Sequence, residues 1–358
     1  MPILRARARP TGAAEKGGAL TLASRRARNN GSQSGRRLCV AFLTVTSVPA
    51  LGQASALDPA GAEASSIATL FWAMVVGGAL LWLFVVSLML YGIRRRRRVH
   101  DEWTAGRLIF WAGAVFPVVT LFLLLGYALW LMPQLRPWAP AQAAATLRIE
   151  VEGRQFWWRA VYHRPGDQPV VTANEIRLPV GERVEFTLTS SDVIHSFWIP
   201  PLGGKMDMIP GRTNRLSILA TKPGTFRGPC AEFCGASHAL MAFSAISMEP
   251  EAFRSWLAAE AGPARPQPSD GARLFVENGC GACHTIRGTA ASGEVGPDLT
   301  HVGSRLMIGA GTLPNTEEAI ARFIAEPDVV KPGSTMPPFR MLPETEIRAM
   351  AAYLKALQ

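Results

Sequence analysis

The amino-acid sequence predicts a multidomain membrane protein with a two-helix transmembrane hairpin, an all-β domain and a small all-α domain. Two runs without a charged residue, 67–93 and 108–135, are each long enough to cross a bilayer. Apolar and polar residues then alternate over much of 145–257, as in half-buried strands. After a Pro-rich segment, the apolar residues of 270–358 include patterns with helical spacing.

The composition favours membrane association and argues against nucleic-acid binding. Apolar residues make up 48% of the 358 residues, and charged residues only 18%. The formal net charge is +10, but the positive residues are concentrated in residues 1–37 and in the arginine run 94–98. Since no basic groove with interleaved aromatic residues remains elsewhere, we expect no nucleic acid among the partners.

The arginine run predicts the orientation of the hairpin. Lys and Arg concentrate on the cytoplasmic side of membranes, so this run is expected inside the cell. Both ends of the hairpin (65–135, helices about 67–93 and 108–133) then lie outside. Residues 1–54 are interpreted as a basic disordered extension and a signal peptide, with a third membrane anchor as the alternative. We therefore expect a multi-pass protein of the bacterial inner membrane, in contact with lipid, with its later domains in the periplasm.

The chain beyond the hairpin divides into three parts. Pro-Gly turn signals punctuate the alternating region 145–257 and predict an antiparallel sandwich or barrel. Residues 258–269 are rich in Ala and Pro and predict a flexible linker. Helical patterns over 271–276 and 344–357 predict a small helical domain over 270–358.

A motif in the helical domain is typical of covalent haem attachment. Cys280, Cys283 and His284 form C-x-x-C-H, in which two thiols bind the haem and the histidine coordinates iron. A redox-active dithiol is the alternative, but it does not need the histidine. A low-spin electron carrier also needs a sixth ligand, and a thioether raises the iron potential. Met336, in a Pro-rich loop, is the first candidate for that ligand. The other candidates are Met341 and Met307.

A second cluster combines residue types that suit copper. Cys230, Cys234, His238 and Met241 lie within twelve residues of one another, and His195 offers a further imidazole upstream. Thiolate, imidazole and thioether form a soft ligand set. A single blue-copper ion needs one cysteine, so two cysteines indicate a bridged pair of ions. The alternatives are a structural disulfide with a core histidine, and a zinc site.

Together these motifs resemble subunit II of cytochrome c oxidase, the binuclear copper A subunit, in the subtype with a fused C-terminal cytochrome c domain. The resemblance covers about 65–250, and the haem domain is similar to class I cytochromes c. It implies a cupredoxin-like Greek-key barrel followed by a class I cytochrome c domain. The copper A ligands that it implies are the sulfurs of Cys230, Cys234 and Met241, a nitrogen each of His195 and His238, and the Glu232 carbonyl.

The same resemblance implies two further sites. Asp207 and the Glu232 side chain would help to hold magnesium at the interface with oxidase subunit I. Phe156, Trp157 and Trp158 resemble the surface on which a soluble cytochrome c delivers its electron, although an aromatic core strand is an equal interpretation. The common family pattern has Trp at the position of Phe156, and this departure fits a protein whose electron comes from its own tethered haem.

The expected function is that of the subunit through which electrons enter a haem-copper respiratory terminal oxidase. Electrons would pass from a periplasmic donor, such as a cytochrome c or the preceding respiratory complex, through haem c and copper A to subunit I, which reduces oxygen to water. Subunit III is a further expected partner, and no residue of this chain is expected to be catalytic. The alternatives are the corresponding subunit of a copper-containing nitric oxide reductase, a stand-alone membrane-tethered electron carrier, and a copper chaperone.

Overall fold

The computed structural model describes residues 55–94, 101–133, 147–164, 166–264 and 269–358. The predicted basic extension and signal peptide, 1–54, and most of the arginine run lie outside the described residues. The described residues form two apolar helices, a β domain and a helical domain, in the order that the sequence predicts.

Two helical spans are long and apolar enough to cross a membrane, as judged by length and composition. Helix α1 comprises Ala62–Arg94. The second span, Glu102–Leu131, contains α2 (Glu102–Leu108), a π-helical segment (Ile109–Val115) and α3 (Phe116–Leu131). The first span contains an 18-residue window with a mean hydropathy of 2.4, and the second contains one of 2.5. The apolar side chains of both spans are largely exposed, as expected of a surface that faces lipid.

Both spans begin several residues before the charge-free runs that predicted them. At the start of α2, Asp101 Oδ1 accepts a hydrogen bond from Thr104 N (2.9 Å) and caps the helix. At the start of α1, Glu63 is buried and accepts hydrogen bonds from Arg183 Nη1 (2.7 Å) and Leu219 N (3.1 Å) of the β domain. The charged groups at these helix starts therefore cap α2 and anchor α1 to the β domain.

The described part of the β domain forms ten strands in two main sheets and a short ribbon. The strands are β1 (Leu147–Arg154), β2 (Trp157–His163), β3 (Val170–Ala173), β4 (Glu175–Pro179), β5 (Arg183–Ser190), β6 (His195–Phe197), β7 (Met206–Met208), β8 (Asn214–Leu219), β9 (Gly224–Pro229) and β10 (Ala242–Met248). The larger sheet has the order β3-β2-β1-β5-β8, and the smaller one β4-β10-β9. β6 and β7 pair separately.

The two sheets are mixed, which corrects the predicted antiparallel arrangement. β1 pairs in parallel with β5 and β10 with β4, while the other neighbours are antiparallel. Alternation of apolar and polar residues reveals the strand period but not the direction of the partner strand. The inward faces share one core, in which Trp158, Phe197 and Phe243 are fully buried. The domain thus has the cupredoxin-like architecture that the resemblance implies.

The described residues of the segment predicted as a linker, 258–269, are ordered. Helix α4, Pro250–Ala261, packs on the β domain and continues past the predicted start of the linker, because the alanines there are strong helix formers. Beyond it, Ala264 N donates to Arg287 O (2.9 Å). Arg287 Nη2 in turn donates to Glu260 O (2.6 Å). The described part of this segment is therefore bound to the C-terminal domain rather than free.

The C-terminal domain packs four helices and a small hairpin around its own core. These elements are α5 (Asp270–Glu277), β11 (Met307–Ile308), β12 (Leu313–Pro314), α6 (Glu317–Ala325), α7 (Pro327–Val330) and α8 (Glu344–Ala356). α5 and α8 confirm the two helical patterns of the sequence. α6 was not predicted, although Thr316 marks its start by accepting a hydrogen bond from Ala319 N (3.2 Å).

Candidate metal centre and haem pocket

The loop between β9 and β10 carries most of the copper-type ligands. The two strands pair antiparallel, and a further hydrogen bond from Cys230 N to Met241 O (2.8 Å) closes the loop at its base. Cys234 and His238 lie between these two residues. We call residues 230–241 the copper loop, since its closure brings the four soft side chains to one end of the β domain.

His195 joins the copper loop from β6. Ala231 N of the loop donates to Ser196 O (3.0 Å), which holds the two segments side by side. As a result, His195, Cys230 and Cys234 are buried, and one ligand atom from each lies within 4.8 Å of the others. Three buried soft donors at this spacing fit a metal site.

The predicted ligand atoms form a continuous chain of short distances. Cys230 Sγ lies 3.9 Å from His195 Nδ1, 3.9 Å from Cys234 Sγ and 3.2 Å from Glu232 O, and Cys234 Sγ lies 3.7 Å from both His238 Nδ1 and Met241 Sδ. A metal–thiolate bond is about 2.3 Å long, so a metal ion could contact both cysteine sulfurs, which lie 3.9 Å apart. A disulfide requires about 2.05 Å, and both cysteines are free. The geometry therefore fits the ligand set and not the disulfide alternative.

The charge of the two thiols also fits a bound cation. Contact with the Cys234 thiol lowers the pKa of Cys230, whereas the same contact and burial raise the pKa of Cys234. Two thiolates this close repel each other strongly when they are shielded from water. A metal ion between them removes that cost, so a bound cation would favour the doubly ionised pair.

Three residues without a motif signal position these ligands. Asp192 Oδ1 lies 2.8 Å from His195 Nε2, which turns the other ring nitrogen toward the cysteine sulfurs. Although burial opposes its charge, hydrogen bonds from Gln155 N and from the His195 ring keep the pKa of Asp192 below its ordinary value. Gly153 leaves room for the imidazole, because a Cβ there would lie 2.8 Å from His195 Cδ2. Gln155 Nε2 donates to Cys234 O (2.6 Å).

The two carboxylates predicted to hold magnesium surround an ammonium group. Lys205 Nζ lies 3.0 Å from Asp207 Oδ1 and 3.7 Å from Glu232 Oε2. Ser196 Oγ also donates to Asp207 Oδ1 (2.8 Å), and the lysine and serine hydrogen bonds together lower the pKa of Asp207. The structure thus brings the predicted pair together, with Lys205 as the cation between them.

The aromatic residues of the predicted electron-delivery surface occupy different positions. Trp158 is fully buried in the core of the β domain, where it packs on Phe197 and Phe243. It therefore belongs to a core strand, which is the second of the two interpretations of the aromatic run, and not to an exposed surface. Phe156 is also buried, and Trp157 is half-buried. Both of these rings line a cavity of the C-terminal domain.

This cavity has a volume of about 330 Å³ and contains the haem-type motif. The motif residues along its wall are Cys280, Cys283 and His284. Met336 and Met307 line it as well, whereas Met341 is 72% exposed and lies outside its wall. Position thus removes Met341 from the three candidate sixth ligands. Both motif cysteines are free, as thioether attachment of a haem requires.

His284 is oriented for metal binding inside the cavity. Its Nδ1 lies 2.8 Å from Pro297 O, and since a carbonyl can only accept, Nδ1 carries the proton and Nε2 remains available. Burial lowers the pKa of His284, which keeps the ring neutral. Gly296 makes room for it, because a Cβ there would lie 2.5 Å from His284 Cε1.

Comparison with known proteins identifies the families that the two domains resemble. The family described as cytochrome c oxidase subunit II, periplasmic domain, matches residues 163–248, and the cytochrome c family matches residues 268–358. A cytochrome c oxidase subunit 2 from Alkalihalophilus pseudofirmus is 34% identical over 345 residues, which cover 90% of this chain and 97% of that relative. This chain belongs to the cytochrome c oxidase subunit 2 family. The resemblance predicted from the two motifs is therefore confirmed.

Other members of the subunit 2 family match parts of the chain. The subunit from Bacillus subtilis is 32% identical over 231 residues, or 61% of this chain and 64% of that relative. The periplasmic domain of subunit II from Bradyrhizobium japonicum is a solved structure with 33% identity, a TM-score of 0.30, and coverage of 32% of this chain and 94% of that one. The subunit II domain implies a copper A centre, and the cytochrome c domain implies haem.

The close approach at Gly153 yields a test of the copper loop. In Gly153→Ala the added methyl group would meet the His195 ring at 2.8 Å and displace it from the cysteine sulfurs. We expect copper affinity to fall at least about tenfold, as it does when other groups that orient a metal ligand are changed. The loss is measured as copper per polypeptide by atomic absorption. Gly203→Ala is the control, because its Cβ would make an ordinary 3.6 Å contact with Glu63 Cβ. Full copper content in Gly153→Ala would contradict the assignment of His195.

Proposed function

We propose that this chain is the subunit through which electrons enter a haem-copper respiratory terminal oxidase. Electrons from a periplasmic donor would reach the cytochrome c domain first, then the copper domain, and leave toward the subunit that reduces oxygen to water. The observation that supports direct transfer between the two domains is a shared wall. Phe156 and Trp157 of the copper domain line the haem cavity, and the adjacent Gln155 hydrogen-bonds to Cys234 O of the copper loop.

The distances around the copper loop support the proposed copper ligands, and the residues of the cavity wall support the proposed haem ligands. The copper pair would be held by Cys230, Cys234, His195, His238, Met241 and the Glu232 carbonyl. Haem would be attached to Cys280 and Cys283, with His284 and Met336 on the iron. When bound, these two groups supply reversible one-electron redox chemistry. The side chains around them restrict water and so set the local dielectric, which tunes the potential of a metal site.

The proposed setting is a bacterial cell membrane, with both cofactor domains on the periplasmic side. The two apolar helical spans support the membrane placement, and the family supports an oxidase subunit I as partner. Subunit III and a periplasmic donor, such as a cytochrome c or the preceding respiratory complex, complete the proposed assembly. Asp207 and Glu232 would bind magnesium at the interface with subunit I only after Lys205 had moved away from them.

Haem attachment and the methionine ligand can be tested on the full chain. Cys280→Ala combined with Cys283→Ala should abolish haem staining after denaturing electrophoresis, because both thioether bonds are lost. Met336→Leu should remove the weak sulfur-to-iron absorption band at the red end of the visible spectrum. Met341→Leu, at an exposed position outside the cavity, should keep that band. If Met307→Leu removes the band and Met336→Leu keeps it, the sixth ligand is Met307 of β11 and the assignment of Met336 is wrong.

The proposed order of the two centres predicts how a copper-loop variant behaves. Cys230→Ser removes one of the two thiolates, so oxygen consumption by the purified complex should fall to background. Reduction of the haem by the donor should keep its rate, since the C-terminal domain is unchanged. Stopped-flow reduction of the unaltered complex checks the order directly at the haem band and the copper near-infrared band. Copper that is reduced before haem would contradict the proposal.

A further inference from the structure

The outer face of the copper loop is bound by the C-terminal domain at one carbonyl. Leu240 O accepts hydrogen bonds from Lys331 Nζ (3.0 Å) and from Thr312 Oγ1 (3.0 Å). Leu240 directly precedes Met241, whose sulfur is one of the predicted copper ligands. Lys331 lies in the segment that leads to Met336, and it also lines the haem cavity. The Lys331 hydrogen bond therefore joins the two ligand-bearing segments directly.

Backbone and side-chain contacts on either side extend this interface. Ala242 N donates to Ala310 O (2.9 Å), and Ser237 Oγ donates to Pro332 O (2.6 Å). The C-terminal part of the copper loop and the first residue of β10 are thus tied to the C-terminal domain. Hydrogen bonds of this kind fix one relative position of two surfaces, which apolar contact alone does not.

The ring of Phe156 fills the space between the same two segments. A Cβ at Gly235 of the copper loop would lie 3.2 Å from the ring, and a Cβ at Gly333 would lie 3.2 Å from it on the haem side. Both glycines have positive φ, +125° and +80°, a conformation that glycine adopts without strain. The interface is therefore shaped around this ring on both sides.

The environment of Lys331 is unusual for a lysine. Its side chain is 3% exposed, and its second acceptor is another neutral carbonyl, Gly309 O (2.7 Å). Among the described residues, no carboxylate forms an ion pair with it, and burial lowers the pKa of Lys331 to about 7. Burying an ammonium against neutral groups costs free energy. Packing stability alone does not account for this residue, whereas a role in specifying one docked arrangement does.

More distant contacts hold the domains in the same position. Arg154 Nη1 of β1 donates to Glu294 O (2.9 Å) near the haem motif. On another side, Leu306 N donates to Glu175 Oε2 (2.9 Å) of β4. These anchors flank the haem cavity and oppose rotation of the C-terminal domain about the Lys331 contact.

We propose that the cytochrome c domain is a docked rather than a mobile electron donor, and that Lys331 is the positioning residue that holds its haem crevice against the copper loop. This inference rests on the proposed function, because it concerns transfer between the same two centres. In the docked state, transfer from haem to copper needs no encounter between domains. Its rate is then independent of the motion of the C-terminal domain through the solvent.

The test uses the purified, metal-loaded complex. A light-activated reductant delivers one electron to the haem, and its passage is followed at the haem band and the copper near-infrared band, with and without glycerol. The unaltered protein should transfer at a rate that does not change with viscosity. Lys331→Glu puts a carboxylate against two carbonyls, so the docked state should become the minor one. Transfer should then slow at least about tenfold and become viscosity-dependent.

Lys355→Glu is the matched control, because Lys355 Nζ donates to Gly303 O (2.8 Å) within the C-terminal domain only. It should keep the unaltered rate. Hydrogen exchange gives a readout independent of transfer: the Ala242 amide should be protected in the unaltered chain and in Lys355→Glu, and should exchange faster in Lys331→Glu. This measurement reports docking even if a variant loads its cofactors poorly.

Two results would overturn the docking proposal while leaving the proposed function intact. One is a transfer rate that falls with viscosity in the unaltered protein. The other is a Lys331→Glu variant that matches Lys355→Glu in both rate and Ala242 exchange. A preparation of the unaltered complex that shows no haem band or no copper band would instead overturn the proposed function itself, and docking with it.

Discussion

The hydrogen bond from Cys230 N to Met241 O (2.8 Å) is the constraint on which the rest of the structure depends. It closes a twelve-residue loop whose ends could otherwise splay apart beyond β9 and β10. Closure has two consequences. The soft side chains of the loop converge on one buried point, and the Leu240 carbonyl is presented on the outside. One short segment therefore holds the predicted copper ligands on its inner face and the cytochrome c domain on its outer face.

The inner face depends on positions that do not resemble ligands. His195 reaches the cysteines only because Gly153 has no side chain and because Asp192 fixes the second ring nitrogen. Outer groups of this kind usually determine ligand orientation and basicity. The haem side follows the same principle, since Gly296 and Pro297 O place His284. In both centres a glycine provides space and an oxygen atom sets the tautomer.

The parts of the protein that could be predicted from sequence are those with a local signal. The C-x-x-C-H motif, the spacing of Cys230 and Cys234, the charge-free runs and the pattern of α8 all lie within short stretches. The parallel pairing of β1 with β5 has no such signal, because it depends on contacts between distant segments. Gly153 and Lys331 were missed for the same reason, since each acts on a residue that is remote in sequence. Asp192 lies only three residues before His195, but its role depends on how the loop between them folds.

The fused domain shows most clearly how a local reading can mislead. Ala- and Pro-rich residues predicted a flexible tether, for which the effective concentration of the donor would set the rate of transfer. In the structure, α4 extends into this segment, and Arg287 donates a hydrogen bond to Glu260 O in the last turn of that helix. The buried Phe156 ring then lies between the two domains, and not on an exposed surface where a soluble donor could bind. The aromatic run thus serves an internal contact and the core of the β domain.

The central claim is that both cysteine pairs serve cofactors, and intact mass spectrometry of the full chain tests it most directly. Under native conditions the mass should exceed that of the processed polypeptide by one haem and a pair of copper ions. After denaturation the haem should remain bound through Cys280 and Cys283, while Cys230 and Cys234 should react with an alkylating reagent without prior reduction. A native mass without copper, together with a Cys230–Cys234 disulfide that blocks alkylation, would contradict the account.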